Sequence, residues 1–418
     1  MNILLIGSGG REHALAQSIA VSPLCARLLI APGNPGTARC GTNVALDVAD
    51  HAAVAAFCGR EAIDLVVVGP EAPLVAGLID DLAAAGVKAF GPSRNAARLE
   101  GSKAFTKEFA REFGIPTADF ACFAEREAAK AHVWERGAPI VVKADGLAAG
   151  KGVVVAETLA EADAAIDSLL STPGSEIVVE ERLVGEEASV FALCDGTRIL
   201  PLGSAKDHKR AFDGDTGPNT GGMGALCPAP NLAPELEREV LDTIVRPTLA
   251  GMRDRGAPFV GILYAGVMLT AEGPKLIEFN VRLGDPEAQA LLPRLRTDLV
   301  ALMIAACDGV LDEAQTGWSD FPAVTVVMAA RGYPGTYATG SPIRNIAAAE
   351  ALEHVTVFQA GTAERGGELV ANGGRVLAVT ALGPTFAEAR ERAYEAVRLI
   401  DWPEGFHRGD IGARAEAG

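Results

Sequence analysis

Three polar side chains near residue 280 have the spacing of a metal and phosphate site. Glu278, Asn280 and Arg282 alternate with apolar residues in the run 276–287. Side chains two apart on a strand face the same side, so these three would point together. An acid and an amide, without His or Cys, suit a magnesium ion shared with nucleotide phosphates, and Arg282 could meet a transferring phosphoryl group. A strand with one polar face is the alternative.

Two lysines in the run 142–153 could contact the phosphates of a nucleotide. Lys143 ends an apolar strand and could reach an α-phosphate as a fixed point charge. The turn Gly150, Lys151 and Gly152 could close over the β- and γ-phosphates as a lid. The spacing is not that of a P-loop. A surface hairpin with solvated lysines explains Lys151 alone but not the whole run.

The run 180–187 could form the hinge that holds a nucleoside. Glu180 ends a strand, Leu183 could flank an adenine, and Glu187 could take ribose hydroxyls. Taken alone, a charged solvated turn is the more common interpretation of such a run.

A glycine-rich loop, residues 7–13, follows the first strand and opens a helix. The free N–H groups and dipole of a helix start favour an anion there. A dinucleotide fold would need an acid after the second strand, but residues 31–36 contain none. A small phosphorylated substrate is therefore favoured over NAD, and an ordinary tight turn is the alternative.

A polar, glycine-rich stretch at residues 206–224 is unusually long for a loop in a compact domain, so we predict a loop that closes over substrate. His208 is a possible general base there, although a lone histidine is more often structural.

These motifs need a scaffold that brings strand ends together. The first hundred residues predict strands at 2–6, 27–31, 65–69 and 87–91, with helices at 11–20 and 74–85. This alternation predicts βαβ units and a parallel sheet. Ligands of such sheets bind at the carboxyl ends of the strands, where the glycine-rich loops lie.

The rest of the chain predicts a mixed, multidomain protein of α/β and α+β class. Residues 122–188 form a small α+β insert between 102–121 and 189–322, and 323–418 make a last unit with strands and a final helix at 386–400. Long helices are predicted at 234–255 and 287–308.

The composition of the chain limits the kinds of ligand and partner that we expect it to bind. The chain has 418 residues, 49% of them hydrophobic, and a net charge of −17, which argues against nucleic acid. Seven scattered cysteines without a C-x-x-C pair argue against a disulfide framework or zinc site. The sequence opens on a strand, without a basic leader or an apolar stretch long enough to cross a membrane. We expect a soluble, cytoplasmic protein, a monomer without a membrane partner.

Together the motifs resemble the ATP-grasp superfamily, and within it the phosphoribosylamine–glycine ligases, over essentially the whole chain. The runs DHKR at 207–210 and DGDTGPNTGGMG at 213–224 are highly specific, and the N-terminal loop is not. Lys206, Leu283 and Gln359 depart from the frequent Gln, Phe and His. The other similar segments are GGREHA at 9–14, PGNPGTA at 32–38, GPEAPL at 69–74, GSKAF at 101–105, KADGLAAGKGV at 143–153, EFNV at 278–281 and GDPE at 284–287.

The resemblance implies an ATP-grasp fold with a Rossmann-like N-terminal domain (1–101), a central domain (102–121 and 189–322), a lid (122–188) and a C-terminal α+β domain (323–418). It implies that ATP, as cosubstrate, glycine and 5-phosphoribosylamine give glycinamide ribonucleotide, ADP and phosphate in de novo purine synthesis. The implied intermediate is glycyl phosphate, and the implied cofactor is Mg²⁺ or Mn²⁺.

The resemblance also distributes roles among the motif residues. Catalysis is expected at Asp207, Lys209, Arg282 and Asp285. ATP is expected at Lys103, Lys143, Gly150, Lys151, Gly152, Glu180, Leu183 and Glu187. The metal is expected at Glu278 and Asn280. Phosphoribosylamine is expected at Gly9, Gly10, Arg11, Asn34 and Glu71.

The motifs disfavour three other functions. Another ATP-grasp ligase or carboxylase of purine metabolism is disfavoured by the run 213–224. An NAD-dependent oxidoreductase is disfavoured by the missing acid, and an inactive nucleotide-binding regulator by the retained charged groups.

Overall fold

The computed structural model describes residues 1–147, 152–311 and 314–415. The first hundred residues form a five-stranded parallel sheet of order β3-β2-β1-β4-β5, which confirms the predicted βαβ alternation. The elements are β1 (Asn2–Gly7), α1 (Gly10–Ala20), β2 (Arg27–Pro32), β3 (Thr42–Asn43), α2 (His51–Glu61), β4 (Leu65–Val68), α3 (Glu71–Ala76), α4 (Leu78–Ala84), β5 (Ala89–Phe90) and α5 (Arg94–Gly101). Strands β1 and β4 are buried on both faces because helices cover the sheet, which explains their unbroken apolar runs.

One predicted helix in this unit is wrong. Residues 74–85 are not continuous, because Gly77 separates α3 from α4 with a left-handed φ of +90°. The guanidinium of Arg94 donates to the carbonyl of Ala76 at this break. A Cβ on Gly77 would lie 2.4 Å from Nε of Arg94, so only glycine fits.

Residues 103–181 contain a smaller antiparallel sheet of order β6-β9-β7-β8. Helices α7 and α8 pack on it around a core that includes Val142, Ile166 and Val179. The elements are α6 (Lys103–Glu112), β6 (Phe120–Phe123), α7 (Arg126–Arg136), β7 (Ile140–Ala144), β8 (Val153–Ala156), α8 (Leu159–Leu169) and β9 (Ile177–Glu181).

A second, nine-stranded sheet dominates the rest of the molecule, in the order β16-β15-β10-β11-β14-β17-β21-β18 with β22 beside β17. Its strands are β10 (Glu186–Asp195), β11 (Ile199–Asp207), β14 (Gly224–Cys227), β15 (Val260–Thr270), β16 (Gly273–Asn280), β17 (Ala323–Ala330), β18 (Val355–Gln359), β21 (Arg375–Leu382) and β22 (Gly405–Phe406). Because β14 pairs with β17, the sheet continues across residue 322, where the sequence analysis placed a domain boundary.

Four short strands form two separate hairpins, and five helices flank the large sheet. They are β12 (Arg210–Phe212), β13 (Thr216–Asn219), β19 (Thr362–Arg365), β20 (Glu368–Ala371), α9 (Pro234–Val240), α10 (Arg246–Asp254), α11 (Glu287–Leu291), α12 (Leu299–Asp308) and α13 (Ile346–Glu350). Helix α14 (Phe386–Leu399) packs against β17 and β21. In the part of the chain described, no helix combines the length and apolarity that a bilayer crossing requires.

Three further predictions need correction. The segment 206–224 is not an open loop: β12 and β13 pair across a turn in which Asp215 has a φ of 55°. The helix predicted at 234–255 contains a π-helical turn at Leu241–Val245. The helix predicted at 287–308 breaks after α11, because a short 3-10 turn, Leu292–Arg294, precedes a new N-cap at Asp298.

Candidate active site

A cavity of about 1140 Å³ lies where the two antiparallel sheets meet the N-terminal unit. Its lining includes twelve of the predicted site residues: Arg11, Glu71, Lys143, Glu180, Leu183, Glu187, Asp207, Lys209, Glu278, Asn280, Arg282 and Asp285. A smaller cavity shares Lys143 and Glu278 with it and adds Lys103 and Gly152. Gly9, Gly10 and Asn34 line neither cavity. Gly150 and Lys151 lie outside the described residues.

Strand β16 presents the predicted metal pair to the cavity. Phe279 is 2% exposed and packs into the core, whereas Glu278 and Asn280 on either side of it line both cavities. The predicted common face is therefore confirmed. Among the described residues no group of three or more His, Cys, Asp or Glu side chains is arranged for a metal. Two oxygen donors on one face thus fit a hard cation that completes its shell with phosphate oxygens and water.

Arg282 is the centre of a charged network beside this pair. Its guanidinium donates to Oδ1 of Asn280 at 3.1 Å, to Oε1 of Glu100 at 2.6 Å and to Oε2 of Glu71 at 3.1 Å. Burial opposes its charge, but Glu100 and Glu71 outweigh burial and raise the pKa of Arg282. Burial raises the pKa of Glu100, whereas Arg282 and Arg11 overcome burial and lower that of Glu71. Glu100 was missed in the sequence because it precedes the motif by 182 residues.

Two buried lysines share one carboxylate at the nucleotide side of the cavity. Lys107 of α6 and Lys143 of β7 both pair with Glu180 at the end of β9. All three residues are at most 5% exposed. Burial opposes ionisation of Glu180, but Lys143 and Lys107 lower its pKa. Lys107 was not predicted, although it lies one helical turn after Lys103 on the same face.

Helix α6 also fixes the loop that follows β7. Its N-cap Ser102 donates from Oγ to Asp145, and Nζ of Lys103 donates to the carbonyl of Gly146 at 2.8 Å. The predicted phosphate ligand Lys103 is thereby held next to the glycine-rich run.

The start of the β12–β13 hairpin carries Asp207 and Lys209 into the cavity. Nζ of Lys209 lies 2.9 Å from Oε2 of Glu187. Lys209 is charged despite burial, because Glu187 and Asp207 raise its pKa. Burial raises the pKa of Asp207 to about 7, against the opposing effect of Lys209 and with a further increase from Glu287.

The C-terminal unit contributes Arg375, which the sequence analysis did not identify. Its Nη1 donates to the carbonyls of Asp285, at 2.6 Å, and Gly221. Burial raises the pKa of Asp285, but Arg375 and Arg11 outweigh it, so the net pKa is lowered. Tyr333 accepts a hydrogen bond from the N–H of Gly221 at 3.1 Å. No local motif marks Arg375, since its partners lie 90 and 154 residues away.

The hairpin tip is pinned by the end of the chain. Arg408 is 1% exposed and donates to the carbonyl of Arg210 at 3.1 Å, to Asp215 at 2.8 Å and to Asp410 at 2.7 Å. Backbone N–H groups of Gly214 and Gly409 donate to Asp410 and Asp213. The segment that begins with Asp207 is therefore held rigidly at its far end.

Near Arg408, His208 has an unpartnered Nδ1, and burial lowers its pKa to about 4. The imidazole is therefore neutral at physiological pH, and its pKa lies far from that of an efficient general base.

The N-terminal glycine loop packs against other units rather than opening into the cavity. The N–H of Gly9 donates to Glu12 at 2.6 Å, and a Cβ on Gly10 would lie 2.4 Å from Gln289. Asn34 donates to the carbonyls of Ser8 and Gln359 and accepts from the N–H groups of Gly36 and Thr37. This leaves the Asn34 amide no unused donor.

Two neighbours of this loop tie the N-terminal unit to the rest of the chain. Arg11 does reach the cavity, donating to the carbonyl of Leu283 at 3.1 Å. His13 Nδ1 accepts from the N–H of Gln359 at 2.8 Å, and burial lowers its pKa to about 4.

Family models match three consecutive segments of the chain. The phosphoribosylglycinamide synthetase N domain matches residues 1–100, the ATP-grasp (A) domain of the same enzyme matches 101–288, and the C domain matches 323–414. The chain belongs to the phosphoribosylglycinamide synthetase family. As a family member it is an ATP-grasp carbon–nitrogen ligase with ATP as cosubstrate.

Relatives in this family are similar over their full length. A phosphoribosylamine–glycine ligase of Brucella melitensis is 58% identical over 419 residues, covering 99% of this chain and 98% of that protein. The phosphoribosylamine–glycine ligase of Mesorhizobium japonicum is 59% identical over 421 residues, which cover 100% of this chain and 99% of that protein. The crystal structure of phosphoribosylamine–glycine ligase from Thermotoga maritima is 33% identical with a TM-score of 0.86, covering 98% and 100%.

Proposed function

We propose that this chain joins glycine to 5-phosphoribosylamine at the expense of ATP, giving glycinamide ribonucleotide, ADP and phosphate in de novo purine synthesis. One observation carries the proposal: a single cavity holds the buried lysines, the Glu278–Asn280 pair and the Asp207–Lys209 segment. Nucleotide, metal and glycine would thus meet within one cavity.

Lys143 and Lys103 hold the ATP phosphates, together with Gly152 and with Gly150 and Lys151 beyond the described residues. Glu180 orients Lys143 and Lys107 rather than binding the ribose, because both ammonium groups pair with its carboxylate. Leu183 lies beside the base. Glu187 takes a ribose hydroxyl with the oxygen that Lys209 leaves free.

Glu278 and Asn280 would hold Mg²⁺ or Mn²⁺, since their oxygens suit a hard cation and line the same cavities as Lys143 and Lys103. The ion, when bound, neutralises charge on the terminal phosphates. Arg282 adds a fixed positive charge at the same place and keeps the Asn280 amide oriented.

The chemistry needs positioning more than a strong base. A carboxylate oxygen of glycine attacks the γ-phosphorus, and the bond from that phosphorus to the bridging oxygen of ADP breaks. The neutral amine of phosphoribosylamine then attacks the carbonyl carbon of glycyl phosphate, phosphate leaves with the electron pair of the broken C–O bond, and the proton lost by the amine passes to the departing phosphate. Lys209 and Asp285 position the reactants, and Asp207 contacts glycine.

Enclosure matters because an acyl phosphate hydrolyses in open water. Arg11 and Glu71 contact the ribose phosphate and a ribose hydroxyl from the N-terminal side. Gly9, Gly10 and Asn34 contribute by shaping that loop, since the Asn34 amide is already engaged.

ADP release with each substrate withheld in turn tests the proposal. Release should require both glycine and phosphoribosylamine for full rate, and bicarbonate should not replace glycine. Turnover with bicarbonate would instead indicate an ATP-grasp carboxylase. Cytoplasmic location and a monomeric state stay predictions.

A further inference from the structure

Most carboxylates that line the large cavity already face a cation. Glu180 pairs with two lysines, Glu187 with Lys209, Asp285 with Arg375 and Glu71 with Arg282. Within the described ranges, three acids deep in the cavity form no ion pair: Asp207, Glu278 and Glu287. Glu278 already has a proposed metal to bind, so two acids remain without a salt bridge, although the charge of Lys209 influences Asp207 from a greater distance.

Glu287 is the more deeply placed of these two acids. It is 3% exposed, and its Oε1 accepts a hydrogen bond from the hydroxyl of Tyr264 at 2.8 Å. Its Oε2 receives no hydrogen bond from any residue that the structure describes. A Cβ on Gly284 would lie 2.3 Å from that oxygen, so glycine at 284 makes room for the carboxylate.

Asp207 lines the same cavity as Glu287 and also lacks a hydrogen-bond partner for its carboxylate in the described structure. The two negative charges influence each other, because Glu287 contributes to the raised pKa of Asp207. A carboxylate buried without a counter-charge is costly unless a ligand supplies one.

We infer that Glu287 and Asp207 bind the ammonium group of glycine and thereby select an amino acid over carboxylic acids that lack an amine. The inference rests on the proposed function and extends it to the recognition of one substrate. Two carboxylates do not suit the other amine, that of phosphoribosylamine, since they would keep it protonated when it must attack as a free base. They suit glycine, whose own amine must not attack.

A second cation is the other occupant that two acids could hold. The Glu278–Asn280 pair already offers a metal a place in the cavity, whereas Oε1 of Glu287 is occupied by the hydroxyl of Tyr264, so a metal is disfavoured there. An ammonium group, in contrast, needs only a few acceptors at hydrogen-bond distance.

The test measures KM for glycine, ATP and phosphoribosylamine in wild type, Glu287→Gln and Asp207→Asn. Each variant should raise the KM for glycine about 10- to 100-fold, the size expected for a lost charge-assisted hydrogen bond, and leave the KM for ATP within about twofold. Glu287→Gln should also narrow the preference for glycine over glycolate, which carries a hydroxyl instead of the ammonium.

Glu237→Gln is the matched control, because Glu237 is half-buried, accepts a hydrogen bond from the hydroxyl of Ser204 and does not line the cavity. Circular dichroism and melting curves show whether each variant folds. If Glu287→Gln does not fold, the KM values of Asp207→Asn test the inference. An unchanged KM for glycine in a folded variant, or an equal rise for all three substrates, overturns the inference. Absence of glycine-dependent ADP release in wild type overturns the proposed function instead.

Discussion

Arg282 donates a hydrogen bond from Nη2 to Oδ1 of Asn280, 3.1 Å away, and so fixes the amide of the proposed metal pair. The same guanidinium contacts Glu71 and Glu100, which lie in segments far from β16 in the sequence. The orientation of Asn280 therefore depends on two of the units that surround the cavity, the N-terminal unit and the large sheet.

Arg282→Lys should lower kcat about 100-fold, the size seen when one preorganised donor to a developing charge is removed. A single ammonium cannot reach Asn280, Glu71 and Glu100 together, whereas the planar guanidinium does. ADP release at several magnesium concentrations measures the effect, and the magnesium requirement should rise. Arg253→Lys, on the exposed face of α10, is the control. Wild-type kcat in Arg282→Lys would remove Arg282 from the mechanism.

Glu278→Ala should reduce turnover at least about 100-fold, because the metal loses its charged ligand and the terminal phosphates lose several kcal/mol of stabilisation. Binding of metal-free ADP, followed by calorimetry, should change much less. Glu272→Ala is a suitable control, since Glu272 lies in the exposed turn before the same strand and pairs with Lys275. Unchanged turnover at low magnesium in a folded Glu278→Ala variant would contradict the assignment.

The kcat/KM for glycine should vary with pH according to the ionisation of Asp207. Burial raises the pKa of this carboxyl to about 7, so it is half protonated at neutral pH. We expect kcat/KM for glycine to rise between pH 6 and pH 8 as Asp207 ionises, and then to level off. The midpoint of this rise is set by the charged groups that act on the Asp207 carboxyl, namely Lys209, Glu187, Glu278 and Glu287. Asp207→Asn should flatten this rise. If kcat/KM for glycine still rises with pH in the variant, a different ionisable group causes the rise.

The same carboxyl should make the free protein less stable as the pH increases. An unfolded aspartate titrates near about 3.9, whereas folded Asp207 keeps its proton to about pH 7. Between these values the folded state binds more protons than the unfolded state, so the free energy of unfolding falls with rising pH. Asp207→Asn removes this loss and should melt higher than wild type at pH 8, with little difference at pH 4. Equal melting temperatures at pH 8 would contradict the raised pKa.

Arg408→Ala should destabilise the protein by about 2–3 kcal/mol, less than for a fully buried pair, because Asp215 is largely exposed. The freed hairpin should raise the KM for glycine and phosphoribosylamine more than that for ATP, since Asp207 and Lys209 lie at its base. Denaturant unfolding and steady-state kinetics measure the two effects. The exposed Arg331→Ala is the control, and equal changes in all three KM values would indicate a purely structural role.

The parallel sheet and the metal strand could be predicted from the sequence because both depend on local periodicity. Apolar runs between glycine-rich turns define β1, β2 and β4. The two-residue alternation around Phe279 places Glu278 and Asn280 on one side without any tertiary information.

The remaining site residues could not be predicted, because their contacts join distant segments. Lys107, Glu100, Arg375 and Arg408 occupy ordinary helical, strand or tail positions and acquire their roles only through long-range partners. The β12–β13 hairpin was misinterpreted for a different reason: strands of three and four residues rich in glycine, proline and polar side chains show no periodicity.

The hydrogen bond from Gln359 to His13 spans 346 positions of the chain and has a consequence for synthesis on the ribosome. The residues on the nucleotide side of the cavity all precede residue 290. The opposite wall needs Arg375 of β21 and also Arg408, which holds the β12–β13 hairpin. During translation, the residues that contact ATP and the metal therefore leave the ribosome before the residues that close the other side of the cavity. The walls are complete only once Arg375 and Arg408 have left the ribosome, so a chain that stops before Arg375 should hydrolyse ATP slowly or not at all.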